Sequence, residues 1–376
     1  MNRYKPMPGK ILFDRVRDRN TIIMAVNTRV TAGVARGIFR AAKAMDSAVI
    51  FELARSESNL RRGYTGLLPG DFAKNTMEAA HEIGFDAWVL HADHITIKEG
   101  SPEEMEDTKK LIDSQIESGF TSFAIDASHL FDFKGGNLRE ELALNIDATT
   151  EIAKHIEEKM DNSDYGLEVE VGEIGKEDSD GRVLTKPEEA VTFISALNEN
   201  GVYPQVLAIA NGSAHGNTYD IQGNLVEQVS IDIPQTMAVA RALRDNKLNV
   251  RIAQHGITGT PRELISTKFP KGDIIKGNVG TFWQNLIFDI FKIYQSDLFE
   301  RMRNWVLETY SEKAPGKSNK IIFGKFGKFA IKQFFDEIYG IDRDTINAIE
   351  SMAYAEAMVF FRAFNSKGTA SLVRGI

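Results

Sequence analysis

With 376 residues, 43% of them hydrophobic, the chain can bury a large core; its length allows one to three domains, and a single α/β barrel falls within that range. The formal charge of −8 and pI of about 5.5 argue against a nucleic-acid binder. No cysteine is present, which rules out disulfides and thiolate metal sites, suits a reducing compartment, and leaves His, Asp and Glu as ligands for any zinc.

Residues 1–20 carry many charges and no apolar run of the signal-peptide kind, and no window of about 18 residues is apolar throughout. The expectation is a cytoplasmic protein without a membrane partner. Short β-rich runs then alternate with helical patterns. The pattern predicts strands at 21–26, 48–53, 87–90, 122–125, 167–171, 206–210, 250–253 and 273–279. Helices follow at 30–45, 71–83, 102–118, 138–159, 187–199, 233–245, 261–268 and 281–294. Eight βα units predict an α/β fold of the (β/α)8 TIM-barrel type. An open doubly wound sheet is the alternative, but no Gly-x-Gly-x-x-Gly follows the first strand. Beyond 295 the alternation stops. Segments 297–310, 329–339 and 344–364 read as helices, and 311–328, rich in Lys and Gly, as an exposed connection. The predicted division is a catalytic barrel at 1–295 and a C-terminal helical extension at 296–376, packed on the barrel or on a partner subunit.

Catalytic groups of such barrels gather where strands end, and polar residues fall there. The first strand ends at Asn27-Thr28. The third runs into His91-Ala92-Asp93-His94. In extended backbone, 91 and 93 share one face and 92 and 94 the other, so the chain must leave the strand for Asp93 and His94 to converge. The fourth strand ends at Asp126-Ala127-Ser128, and Glu168 and Glu170 share one face of the fifth. The sixth ends in Asn211-Gly212-Ser213-Ala214-His215-Gly216. The seventh ends in His255-Gly256-Ile257-Thr258-Gly259-Thr260, and the eighth in Lys276-Gly277-Asn278-Val279-Gly280-Thr281.

His94, His215 and His255 therefore meet one rim. Three imidazoles with an open fourth position make a catalytic zinc arrangement, although each alone reads equally as a satisfied strand-end residue. His81, His129 and His155 lie away from such ends and read as surface or loop residues. Asp126 and Glu170 are either carboxylates satisfied by a Lys or Arg, or an alternate metal position. The glycines at 212–216, 256–259 and 277–280 let N–H groups close on an anion. With Thr258, Thr260 and Thr281 they match the usual barrel phosphate site after strands seven and eight. The acidic stretch 172–186 is a solvated loop or a mobile lid bearing a carboxylate.

Taken in this order, the motifs over roughly residues 20–285 resemble the class II, metal-dependent fructose-bisphosphate aldolases. His91-Ala92-Asp93-His94 is similar to that family's His-x-Asp-His, Asp126-Ala127-Ser128 to its Asp-x-Ser, and Glu168-Val169-Glu170-Val171-Gly172 to its Glu-x-Glu-x-Gly. The His215 and His255 segments resemble the two other zinc-His segments, and Lys276-Gly277-Asn278 the Lys-x-Asn. The resemblance implies Asp93 as catalytic acid/base and zinc, or another divalent ion, on His94, His215 and His255. It makes Asp126 and Glu170 an alternate zinc position and a lid carboxylate, Glu177 or Asp178, the second proton carrier, with Asp178 favoured. Substrate and phosphate contacts fall to Asn27, Gly216, Gly256, Thr258, Asn278 and Thr281. A monovalent cation beside the divalent one, a sugar-phosphate substrate and a homo-oligomer, dimer or higher, are implied as well.

Four departures stand out. Val279-Gly280-Thr281 replaces Ile-Asp-Thr, so one carboxylate is absent. Gly175-Lys176-Glu177-Asp178 replaces the lid's Gly-Gly-Glu-Glu. Ala54 stands where a serine is usual, with Ser56 close by. Asn347 aligns with the arginine that long-chain members use on the distal phosphate, with Arg343 nearby. The implied reaction is reversible cleavage of fructose 1,6-bisphosphate between C3 and C4, giving dihydroxyacetone phosphate and glyceraldehyde 3-phosphate. The alternatives are an aldolase for tagatose bisphosphate or a ketose 1-phosphate, a non-catalytic aldolase-like barrel subunit, and a zinc hydrolase. The three-His set weighs against the non-catalytic subunit, and the phosphate loops against the hydrolase.

Overall fold

The computed structural model describes residues 4–132, 134–161, 164–172, 177–178, 181–213, 216–220, 224–227 and 229–375, with backbone alone at 177–178 and 181–182. Eight parallel strands close into a barrel. They are β1 (Ile23–Asn27), β2 (Val49–Ala54), β3 (Trp88–Thr96), β4 (Ser122–Asp126), β5 (Gly166–Val171), β6 (Val206–Ile209), β7 (Arg251–Gln254) and β8 (Ile274–Val279). β1 closes the ring between β8 and β2, with Ile23 opposite Lys276 and Asn27 opposite Glu52. Helices cover the outer face and side chains fill the inner one, so the strands read as continuous apolar runs. The (β/α)8 barrel is the predicted fold, and helices Pro187–Glu199, Ile233–Asp245 and Thr281–Tyr294 fall where the periodicity put them.

The third strand differs from its predicted span. It does not end at Leu90 but runs to Thr96 through an irregularity, since its register against β4 shifts between Ala92 and Ile95. His94 sits at the break with φ 38°, in left-handed space that a non-glycine residue seldom takes. A bulge of this kind re-aims side chains beside active sites. It turns Asp93 and His94 to the same side without ending the strand.

A helix at Gly9–Val16, not predicted, crosses the far end of the barrel. Leu12, Phe13 and Val16 are fully buried, and Gly9 lets the backbones meet, since a Cβ there would lie 2.7 Å from Ser122 Cβ. The predicted connection at 311–328 also contains a helix, Asn319–Phe326, followed by a 3-10 turn at Gly327–Phe329. Its lysines and glycines obscured an aromatic stripe: Phe323 packs on Phe288 and Phe299, and Phe326 and Phe329 stack with Tyr310.

The long helix Arg343–Ala363 lies across Val34–Met45. Gly33 and Gly37, one turn apart, open the groove. A Cβ on Gly33 would lie 2.8 Å from the Ile346 carbonyl oxygen, and one on Gly37 would strike the Glu350 carbonyl and come within 2.8 Å of Ala353 Cβ. Arg36 and Arg40 clasp the Glu350 carboxylate at 3.0 and 2.7 Å. Gly37→Val should therefore lower stability by about 1–3 kcal/mol through overpacking, read as a shift in the denaturant midpoint at unchanged slope. No helix among the described residues is long and apolar enough to cross a membrane.

Candidate active site

At the strand-end rim, residues from β1, β2, β3, β4, β5, β7 and β8 and their loops line a cavity of about 680 Å³, a size suited to a small ligand. Inside it, His94 Nε2 faces His255 Nδ1 at 3.1 Å. Two nitrogens bound to one tetrahedral ion at its usual bond length stand about 3.3 Å apart, so this pair has the spacing of two ligands of one cation. Asp93 completes a trio whose donor atoms lie within 4.8 Å of one another. Burial opposes charge on His94, but the Asp93 and Glu170 carboxylates outweigh it and hold its pKa well above the usual value. That negative surround favours a cation at Nε2, which fits a divalent metal. His215 lies outside the described residues.

Among the described residues, Asp126 and Glu170 meet neither a lysine nor an arginine. Their partner is His94 Nδ1, 3.1 Å from Glu170 Oε2 and 3.4 Å from Asp126 Oδ2. Like charges in a buried place split their titration. Burial and the Asp126 charge push Glu170 up to about 8. Burial also opposes the charge on Asp126, but His94 and the two Ser128 donors bring it down to about 2. Ser128 gives Asp126 Oδ1 its hydroxyl at 2.7 Å and its amide at 3.2 Å. The three donors of His94, Asp126 and Glu170 are close enough to share a cation.

Asp93 Oδ1 receives Lys276 Nζ at 3.4 Å and Asn278 Nδ2 at 3.3 Å. Burial disfavours its charge, but His94, Lys276 and His255 prevail and hold it well below the usual carboxylate range. Asp93 is thus an ionised carboxylate in the cavity wall.

The anion loops converge on the same cavity, whose wall includes Gly216, Gly256, Thr258, Gly280 and Thr281. Thr258 Oγ1 accepts from Phe282 N–H at 3.2 Å, which ties the β7 loop to the N-terminus of helix Thr281–Tyr294. Amides at such a terminus favour an anion. Asn27 and Asn278 also line the cavity, and each leaves its buried Oδ1 without a hydrogen bond among the described residues. Glu177 and Asp178 form a two-residue antiparallel ladder with Gly181–Arg182; their side chains lie outside the described atoms. His129, read as surface or loop, is exposed but stands in the cavity wall. His155 is tied to Asp113 at 2.8 Å, and His81 packs edge-on against Tyr4.

Sequence reasoning missed a cationic corner. Glu57 accepts from Asn27 Nδ2 at 2.6 Å, Arg29 Nε at 2.8 Å and the Tyr64 hydroxyl at 2.5 Å. The Arg29 guanidinium reaches Thr281 Oγ1 at 3.3 Å and lies in the space beside Gly280, 3.6 Å from where a Cβ would stand. Lys328, carried in by the 3-10 turn of the extension, lies over the Tyr64 ring at 5.1 Å. Burial and the Arg29 charge lower its pKa. Asn347, by contrast, faces an outer groove between helices Thr281–Tyr294 and Arg343–Ala363. Glu52, a charge inside the apolar run of β2, is a further sign of the buried network; its match is Lys276 inside β8.

A family model described as fructose-bisphosphate aldolase class-II matches residues 8–329. Among curated proteins, the fructose-bisphosphate aldolase of Corynebacterium glutamicum is 27% identical over 234 residues, covering 59% of this chain and 64% of that one. The D-tagatose-1,6-bisphosphate aldolase subunit GatZ of Salmonella typhimurium is 32% identical over 89 residues, 22% of this chain and 21% of that one. The chain thus spans less than two thirds of the length of the curated relatives it matches. The crystal structure of fructose-bisphosphate aldolase from Campylobacter jejuni superposes with a TM-score of 0.61 at 18% identity over 97% of each chain, a likeness of fold.

Proposed function

Since the chain belongs to the class II fructose-bisphosphate aldolase family, we propose that it is a metal-dependent aldolase cleaving a ketose bisphosphate, most simply fructose 1,6-bisphosphate, between C3 and C4. The observation that carries this reading is the 3.1 Å approach of His94 Nε2 and His255 Nδ1 beside ionised Asp93, in the cavity that the glycine loops also line.

His94 and His255, with His215 as the third imidazole, would hold the ion; Asp126 and Glu170 offer His94 a second position for it. When bound, a divalent cation such as zinc supplies a Lewis acid that stabilises the negative charge developing on the ketose oxygens as the bond breaks. Asp93 takes the C4 hydroxyl proton during cleavage and returns it on condensation, while Lys276 and Asn278 keep Oδ1 still. Glu177 or Asp178, from the lid, moves the proton at the dihydroxyacetone-phosphate carbon. Amides near Gly216, Gly256 and Thr258, with the Thr281 hydroxyl, hold the C1 phosphate. Asn27 and Asn278, which line the cavity, contact substrate hydroxyls. No lysine need form a Schiff base, and Lys276 is closed off from the cavity.

Lys328 and Arg29 support an anionic aldehyde half, because their charges face the cavity with one carboxylate, Glu57, between them. Lys328→Met keeps the packing on Tyr64 and removes the charge. It should lower kcat/KM for the bisphosphate about 10–100-fold, the worth of a charge-assisted hydrogen bond, and leave fructose 1-phosphate cleavage much less affected. The test of the whole reading is aldehyde release across fructose bisphosphate, tagatose bisphosphate and fructose 1-phosphate, with zinc and with chelator. Turnover of tagatose bisphosphate alone would favour the other ketose. Zinc binding without turnover of any of them would favour the non-catalytic subunit.

A further inference from the structure

Beneath the rim, the barrel interior holds ionisable groups that the proposed reaction does not touch. Lys276 is wholly buried. Its ammonium lies 2.7 Å from Glu168 Oε2, 3.1 Å from Glu52 Oε2, 3.1 Å from His91 Nε2 and 3.4 Å from Asp93 Oδ1. The donor atoms of Glu52, His91 and Asp93 are near enough to share a metal ion, but the ammonium stands among them, so this cluster already has its cation. His91 is tied further into the core by Ser122 Oγ at 2.7 Å. Such a network is poor value as stabilisation, because desolvating the charges offsets most of their attraction. Its geometry gives it another use.

The second oxygen of Glu168, Oε1, lies 3.4 Å from His255 Nε2. The other nitrogen of that ring, Nδ1, is the one facing His94. A neutral imidazole has a bare lone pair on one nitrogen only, and the hydrogen bond made by the other decides which. A carboxylate at Nε2 requires the proton there and leaves Nδ1 bare. The His94 ring has the reverse arrangement: Nε2 faces His255 while Nδ1 meets Glu170 and Asp126.

We propose that Glu168, anchored by the buried Lys276, is a positioning residue for the metal site: it holds His255 in the Nε2–H tautomer and turns Nδ1 to the ion shared with His94. The same ammonium steadies Asp93, so one buried charge aligns both a metal ligand and the proton-transfer carboxylate. The inference rests on reading His94 and His255 as ligands of one ion.

The unmodified protein provides the first test. With seven histidines in the chain, histidine-selective 15N labelling of the zinc-loaded protein gives a spectrum assignable by single substitutions. The expected pattern is a protonated Nε2 and metal-bound Nδ1 for His255, and the opposite for His94. The second test is zinc affinity measured by competition with a chromophoric chelator. Glu168→Ala should weaken zinc binding about 10–100-fold, the usual effect of removing a ligand's outer partner. Glu168→Gln, whose amide oxygen can still accept from Nε2–H, should lose less. If the loss of Lys276's nearest carboxylate prevents the alanine variant from folding, the pair Glu168→Ala with Lys276→Met removes both charges, and the same weakening is expected. Zinc on His255 Nε2, or unchanged zinc affinity in a folded Glu168→Ala protein, overturns the role of Glu168. Zinc that leaves the His94 and His255 signals unmoved overturns the ligand reading instead.

Discussion

Asp93→Ala should cut kcat for cleavage by about 10²–10⁴-fold, the range for a lost general base, while bound zinc stays near one equivalent per chain. The reason lies in how Asp93 is held. It is 3% exposed, held ionised beside His94 and Lys276, and gripped at Oδ1 by Lys276 and Asn278. Alanine removes the acceptor and leaves Lys276 with Glu168 and Glu52 still beside it, so the barrel keeps a paired cation. Asp93→Asn is a stricter version, since it preserves shape while removing the charge and the proton acceptance. Near-wild-type turnover in either protein would refute Asp93 as the base. If the metal is lost along with activity, Asp93 is acting on the ion and not on the proton.

Chelation, and His94→Ala, should each bring cleavage to background. A Lewis acid contributes several kcal/mol to the stabilised transition state, so its removal costs roughly a thousandfold or more. The two treatments differ in rescue. Zinc or cobalt added back should restore the chelated wild type and should not restore His94→Ala. The His94 ring has no substitute at its place, because the left-handed kink at φ 38° that aims it is peculiar to that position in β3. Binding should also raise the melting temperature with increasing zinc, since an ion that binds only the folded state stabilises it by mass action. Activity that survives exhaustive chelation would remove the metal from the mechanism altogether.

Much of the fold could be read directly. Runs such as Val49–Ala54 and Ile274–Val279 are short, apolar and flanked by turn residues, and eight of them alternating with helical periods admit few closures. Where that reading failed, a local signal was missing or masked. The Gly9–Val16 helix carries its apolar stripe at Leu12, Phe13 and Val16 amid charges that drew attention away. The bulge in β3 has no signature beyond the motif itself, because pairing with β4 decides where a strand slips. Arg29, Glu57, Tyr64 and Lys328 gave no warning at all. Arg29 and Lys328 stand some 300 positions apart and become neighbours only when the extension folds back over Tyr64.

The order of the strands, the cluster of polar residues at their ends and the kinship of the chain were written in the linear sequence, because hydrophobic period and motif spacing are properties of neighbours. Which nitrogens of His94 and His255 face each other, that Asp126 and Glu170 meet His94, and that Lys276 sits sealed below the rim were decided by tertiary structure alone. Those facts depend on the directions of side chains brought together from strands far apart in the chain, and direction is fixed only when the barrel closes and its interior has to satisfy every buried charge.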